Sequence, residues 1–165
     1  MDAAYGATAS AVACVVIEKW ADAEACEVKS RRVAGEPEAY APGEFFKREL
    51  PLLLLVLNSI STAISVVVID GYVWLGADEK PGLGVHLFKL FGVPVIGVAK
   101  TKFRDDTWSE KVFRPGSIRP LFVTSIGMAT TAATNCIMQI HGNHRIPTIL
   151  RDVDQTARAA LGAPK

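Results

Sequence analysis

Residues 50–69, LPLLLLVLNSISTAISVVVI, form an apolar stretch of the length that crosses a bilayer. Its texture changes halfway along. The first part is rich in leucine; the last is a run of β-branched residues, and Pro51, Asn58 and four Ser or Thr interrupt it. A membrane span has no reason to switch in this way. A buried helix followed by a buried strand does, because branched side chains suit strands and leucine suits helices. The strand part, SVVVIDG (65–71), is a continuous apolar run rather than an alternating one. Such runs belong to central parallel strands covered on both faces, so the chain is read as an α/β protein with no membrane segment.

The flanking stretches extend this reading. SAVACVVIEKW (10–20) is rich in β-formers, MDAAY before it is a short strand candidate, and ACEVKSRRV (25–33) is a third. Gly6 with Thr8, and Asp22 with Glu24, supply the turns, so the three strands predict an antiparallel meander. A helix is expected over YAPGEFFKRELPLLLLVL (40–57), with Pro51 bending its early part. GLGVHLFKLFG (82–92) is a helix closed by Gly92. VPVIGVAK (93–100) and RPLFVTS (119–125) are further strands; 127–142 and 146–161 are the last helices. TKFRDDTWSEKVFRPGS (101–117) is a long polar loop or hairpin of the kind that borders sites. The result is a mixed sheet with helices on its faces, in one domain over 1–165.

With 165 residues, half of them hydrophobic, the chain can bury roughly 70% of the surface its unfolded form exposes. A net charge of +1 gives no global attraction to nucleic acid or lipid headgroups, so any polyanion partner needs a local basic patch or metal ions. Cys14, Cys26 and Cys136 are odd in number and form no CxxC pair. They read as buried free thiols of a reducing compartment, not as disulfides or zinc ligands. The N-terminus lacks a basic region ahead of an apolar one, so no signal peptide is expected, and the cytoplasm is the expected location.

At about 100° per residue, Phe45, Phe46, Leu53, Val56, Leu57 and Ile60 share one face of the 40–57 helix, and Glu49 falls in the middle of it. A bare carboxylate there must be paired, protonated or bound to metal. Three other acids have telling positions. Asp2 is in the first strand; Asp70 is at the C-terminal end of a buried strand, where open α/β sheets place ligands; Asp154 lies beside the apolar face of the last helix. Converging carboxylates repel unless a hard divalent cation such as Mg²⁺ or Mn²⁺ joins them, and two such ions suit phosphodiester hydrolysis. Singly, each acid admits a plainer account: an arginine partner for Glu49, a turn at Asp70-Gly71, a chain end at Asp2, an ordinary surface acid at Asp154.

Several stretches together resemble the endonuclease V family, metal-dependent nucleases acting at deoxyinosine in DNA and, in some members, at inosine in RNA. YAPGEFFKRELP is similar to its Tyr-x-Pro-Gly and Phe-x-Arg-Glu-x-Pro segments, VVVIDG to its central strand, and GLGVHLFKLFGVPVIGVAK to its Gly-Leu-x-x-His-Leu helix and following strand. RPLFVTSIG, HRIPTILRDVDQTAR and MDAAY match other parts in the right order. The resemblance implies a ribonuclease H-like sheet, antiparallel over its first three strands and parallel after them, flanked by helices. It implies Mg²⁺ (with Mn²⁺ as the alternative) held by Asp2, Glu49, Asp70 and Asp154, with Lys100 beside them as a catalytic residue contacting phosphate or orienting the attacking water. It also implies Tyr40 and Pro42 as a wedge in the nucleic acid, and a base pocket near Gly71, Tyr72, His86 and Gly97.

The chain departs from the family in three places. Tyr72, Val73 and Trp74 replace the small and imidazole residues after Asp70. TSIGM lacks the family's proline and histidine. The sequence begins almost at its first acid, so a shortened, divergent member is expected. Two other readings accompany the nuclease one: a degenerate relative that binds nucleic acid without cutting it, and a ribonuclease H-like nuclease with another substrate.

Overall fold

The computed structural model describes residues 1–37 and 44–162. Strands β1 (Asp2–Tyr5), β2 (Ala9–Val16) and β3 (Glu27–Ala34) form the expected meander, with Asp2 opposite Ala13 and Cys14 opposite Lys29. Helix α1 (Phe45–Leu57) follows, then β4 (Val67–Asp70). A small hairpin, β5 (Trp74–Leu75) and β6 (Lys80–Pro81), precedes α2 (Leu83–Phe91) and β7 (Val95–Ala99). The order closes with β8 (Glu110–Val112), β9 (Leu121–Ile126), α3 (Thr130–Gln139) and α4 (Thr148–Gly162).

The 50–69 stretch divides where its texture changes. Helix α1 ends at Leu57, and the Glu27 carboxylate accepts the backbone amides of Ser61 (3.0 Å) and Thr62 (2.9 Å), which fastens the turn before β4. No helix among the described residues is long and apolar enough to cross a membrane.

Strands β4, β7, β9 and β8 lie side by side in that order. The parallel arrangement holds between β4 and β7, which α2 connects; β9 runs antiparallel to β7 and to β8. The chain between β7 and β9 carries no helix to cross over the sheet, so it returns beside β7 in the opposite direction. The Met1 ammonium donates to the Val68 carbonyl at 2.8 Å and so ties β1 to the free edge of β4. That bond brings Asp2 and Asp70 to the same edge of the molecule.

Two apolar layers cover the sheets. Val12, Leu53, Val56, Ile69, Leu87 and Val95 pack on the side of α1 and α2; Ile96, Leu121, Val123, Ala133 and Ile137 pack below α3. Neighbouring residues of β7 thus enter opposite cores, the burial that its unbroken apolar run requires. Helix α4 sits on Ala4 and Ala13 through Val153 and Ala157, where small side chains admit it closely. Arg114, 2% exposed, donates to the carbonyls of Ile137, Ile140, Gly142 and His144 and so ties down the end of α3. All three cysteines are free. Cys14 is buried and Cys136 half-buried, but Cys26 is exposed, because the turn into β3 carries it to the surface.

Candidate functional site

Asp2, Glu49 and Asp70 come together at the edge where β1 meets β4. Glu49 is on the inner face of α1 and only 6% exposed. Burial, then the charges of Asp2 and Asp70, push its carboxyl up to about 8; the Tyr5 hydroxyl and Arg48 oppose the rise. Asp2 is pushed up to about 6 by burial and by Asp70, against the pull of the Met1 ammonium and the Ala3 amide. No arginine neutralises Glu49. Arg48 lies over the Tyr5 ring, 3.4 Å from its centroid. Tyr5 is itself raised above the usual tyrosine range by burial and by Glu49's charge. Burial and neighbouring carboxylates thus make both Asp2 and Glu49 hard to ionise, and perturbed acids gathered from separate elements mark a candidate site.

Two acids of the set, Asp70 and Asp154, have cationic partners. Lys100, just past β7, meets Asp70 at 2.6 Å. Burial alone would lower the Lys100 ammonium; the bond to Asp70 and the charges of Asp70, Asp2 and Asp154 outweigh it and raise it. Asp154, on α4, is bound by Arg158 at 2.9 and 3.0 Å. With Asp70 and Asp154 drawn to these cations, no three His, Cys, Asp or Glu side chains among the described residues stand ready-made as a metal cage. The donor set nevertheless suits a hard divalent cation, because all four acids are oxygen ligands and Asp2 and Glu49 have no cationic side chain bonded to them among the described ion pairs. A narrow cleft of about 20 Å³ lies between Asp2, Asp70 and Lys100. A cavity of about 170 Å³, lined by Val16, Trp20, Ile64 and Val66, adjoins it through Met1, Leu150 and Val153.

Other residues named from the sequence fall variously. Tyr40 and Pro42 lie outside the described residues. Gly71 has φ +144°, and nothing stands within 4 Å of where its side chain would be. Tyr72 is buried among Leu75, Ala99 and Phe122, and its hydroxyl donates to the Thr101 carbonyl (2.9 Å) and accepts from the Phe103 amide (3.0 Å). Trp74 is half-buried and donates to the Ser125 carbonyl at 3.3 Å. These bulky residues therefore fill the ground beside Asp70. His86 stacks on Phe46, ring centroids 3.7 Å apart, and burial lowers its imidazole. Gly97 is needed for packing: a side chain there would meet the Gly71 carbonyl at 2.6 Å and the Thr124 hydroxyl at 2.8 Å.

Sequence reading missed some supports of the site. Arg145 donates to the carbonyls of Lys100 and of Pro120, the latter at 2.8 Å, so it holds the backbone under the lysine. Its place just before Ile146-Pro147, inside a stretch already singled out, was the available signal. Tyr5, three residues after Asp2, is the other.

Comparison with known proteins bears on the family and the fold. A family model described as Endonuclease V matches residues 1–141. An endonuclease V of Streptomyces coelicolor is 30% identical over an alignment of 182 residues, which covers 98% of this chain and 77% of that one. Among solved structures, an endonuclease V from Streptomyces avermitilis superposes with a TM-score of 0.79 at 25% identity, covering 96% of this chain and 78% of that one. An endonuclease V from Ciona intestinalis was solved with a 23mer DNA containing an inosine followed by a ribo-adenosine. It superposes with a TM-score of 0.78 at 16% identity, covering 96% and 82%, and supports the ribonuclease H-like fold. On the match that runs from Met1 to residue 141, this chain belongs to the endonuclease V family.

Proposed function

We propose that the protein is a divalent-metal-dependent endonuclease that hydrolyses a phosphodiester near deoxyinosine or inosine in nucleic acid. The observation that carries the proposal is the convergence of Asp2, Glu49 and Asp70 from three separate elements, with Lys100 against Asp70 at 2.6 Å. The relatives' name supplies the reaction class, and the Ciona complex supplies the inosine.

Asp2, Glu49, Asp70 and Asp154 would hold the ion, Mg²⁺ or Mn²⁺. When bound, it polarises the scissile phosphate and lowers the pKa of a coordinated water. The chain's own groups do the rest. Glu49 would have to release its proton to solvent to serve as a ligand, with Tyr5 among its near neighbours. Lys100 is released from Asp70 and turns its ammonium to a phosphate oxygen, an exchange of one anion for another. Arg145 keeps the Lys100 backbone in place meanwhile. Tyr40 and Pro42 are proposed to wedge the strand open beside the lesion, where a flat apolar surface fills the gap of a flipped base.

Nicking of an inosine-containing duplex and of a single strand, each with Mg²⁺ or Mn²⁺, tests the proposal, with Asp70→Asn as control. Metal-dependent cleavage that Asp70→Asn abolishes is expected; cleavage untouched by that substitution ends the proposal. One observation favours a broader substrate range: Tyr72 occupies ground beside Gly71 and leaves less room for reading a base edge. Equal cleavage of guanosine and inosine substrates would establish that reading.

A further inference from the structure

Loop 101–109 is built with more care than a connection needs. Asp106, 5% exposed, spends its carboxylate inside the loop: one oxygen accepts the amides of Trp108 (2.9 Å) and Ser109 (3.0 Å), the other the Ser109 hydroxyl. Its own amide donates to the Phe103 carbonyl at 3.3 Å. The Tyr72 hydroxyl holds the other end through Thr101 and Phe103. The Trp108 indole donates to the Ala77 carbonyl at 3.4 Å, which fastens the loop to the β5–β6 turn. A buried acid is costly to keep, and here its hydrogen bonds fix the backbone that carries Phe103 and Trp108.

Those rings are Phe103, 37% exposed, and Trp108, 42% exposed. Neither belongs to an apolar core cluster. Phe103 stands between the exposed cations Lys102 and Arg104, three residues along the chain from Lys100, and its ring lies tilted against that of Tyr72, centroids 5.8 Å apart. Asp78 and Glu79 in the β5–β6 turn and Asp105 in the loop are exposed acids, so Lys102 and Arg104 are the loop's groups left to meet a polyanion. Fixed aromatic faces alternating with cations fit an unpaired nucleic-acid strand, because every base has a face to stack and every phosphate a charge to meet. They fit a duplex poorly, because its bases are already stacked.

We propose that loop 101–109 is a stacking platform for the unpaired strand that flanks the cleaved phosphate, with Phe103 and Trp108 taking bases and Lys102 and Arg104 taking phosphates. This rests on the nuclease reading above and assigns it a preference for single-stranded or locally melted substrate. Recognition here is by stacking and is tolerant of base identity.

The test is binding of a fluorescein-labelled 16-nucleotide single strand, and of the matching duplex, in EDTA, so that nothing is cut. Phe103→Ala and Trp108→Ala are each expected to weaken the single-strand complex roughly tenfold and the duplex complex by less than twofold. Trp108→Phe, which keeps a ring, should restore most of the affinity. Lys102→Ala with Arg104→Ala should flatten the salt dependence of binding by about one to two units of slope. Circular dichroism melts confirm that each variant is folded. Single-strand affinity within twofold of wild type in both ring variants overturns the platform, whatever the enzyme cuts. Ring-dependent binding without any cleavage in Mg²⁺ or Mn²⁺ keeps the platform and removes the nuclease reading instead.

Discussion

Gly97 shows how tightly the ground beside the acids is packed. It lies on β7 with the Gly71 carbonyl, the Thr124 hydroxyl and the Val73 amide around it, and that hydroxyl accepts the Val73 amide at 2.9 Å. A methyl group at 97 enters all three van der Waals envelopes, two of them backbone, which cannot swing away. Gly97→Ala should therefore cost about 1–3 kcal/mol, the range for overpacking, and it should push Gly71 away from β7. The check is paired: a urea melt for stability, and cleavage for the displaced Asp70 next door. An alanine variant as stable as wild type shows that the 71–73 segment yields freely and that Gly97 has no packing role. Lys100 makes a contrasting case. Its stem is half-exposed and its ammonium answers to Asp70, so Lys100→Met should leave the melting temperature within about 2 °C, as substitutions at exposed ion pairs do, while cleavage falls sharply.

Among elements, the end of α3 depends most on one side chain. Arg114 comes from the segment just after β8, and its guanidinium gathers carbonyls from the last turn of α3 and the 140–144 connection. Carbonyls at a helix end lack helical partners, and here the buried guanidinium supplies their donors. Arg114→Met should cost about 3 kcal/mol or more, because buried acceptors lose their donors, and lower the melting temperature by roughly 6–12 °C for a chain of this size. A smaller loss would mean that the carbonyls rearrange toward solvent. This tie is invisible in the sequence, since nothing in VFRPGS separates a buried arginine from an exposed one. The meander, α1 with Glu49 inward, β4, α2 and β7 are all legible, because each is a periodic apolar pattern with its own turn or cap. The β5–β6 hairpin and β8 are too short for a pattern to show. The direction of β9 depends on the absence of a crossover helix rather than on any residue within β9. The acids follow the same division. Their convergence could be anticipated from motif order, whereas the partners that hold Asp70 and Asp154 depend on side-chain placement after folding.

On the scale of the whole molecule, the acid cluster makes stability, acidity and metal binding a single equilibrium. Glu49 ionises at an ordinary 4.5 in the unfolded chain and about 8 in the folded one; Asp2 moves from 3.8 to about 6. Between those limits the folded protein keeps protons that the unfolded chain has released. The contribution of Asp2 is thus complete below pH 3.8 and lost as pH rises through 6, and that of Glu49 complete below pH 4.5 and lost as pH rises through 8. Glu27 works in reverse: the Ser61 and Thr62 amides hold it down at about 2, so its contribution is lost on acidification. A plain stability–pH curve mixes the two, and the difference between wild type and Glu49→Gln separates them. In EDTA that difference should shrink from pH 5 to pH 8.5, by on the order of 3 kcal/mol, because glutamine keeps the neutral form's hydrogen bonds at every pH. Mg²⁺ or Mn²⁺ should reverse the trend. A cation binds the ionised acids and must displace their protons, so its stabilisation of wild type grows from pH 6 to pH 8 and is small in Glu49→Gln. Melts of both proteins across pH, with and without metal, resolve all four curves. If the wild-type and Glu49→Gln curves run parallel in EDTA, Glu49 is ionised in the folded chain without help, and a cation is then not what its burial in the apolar face of α1 exists to bind.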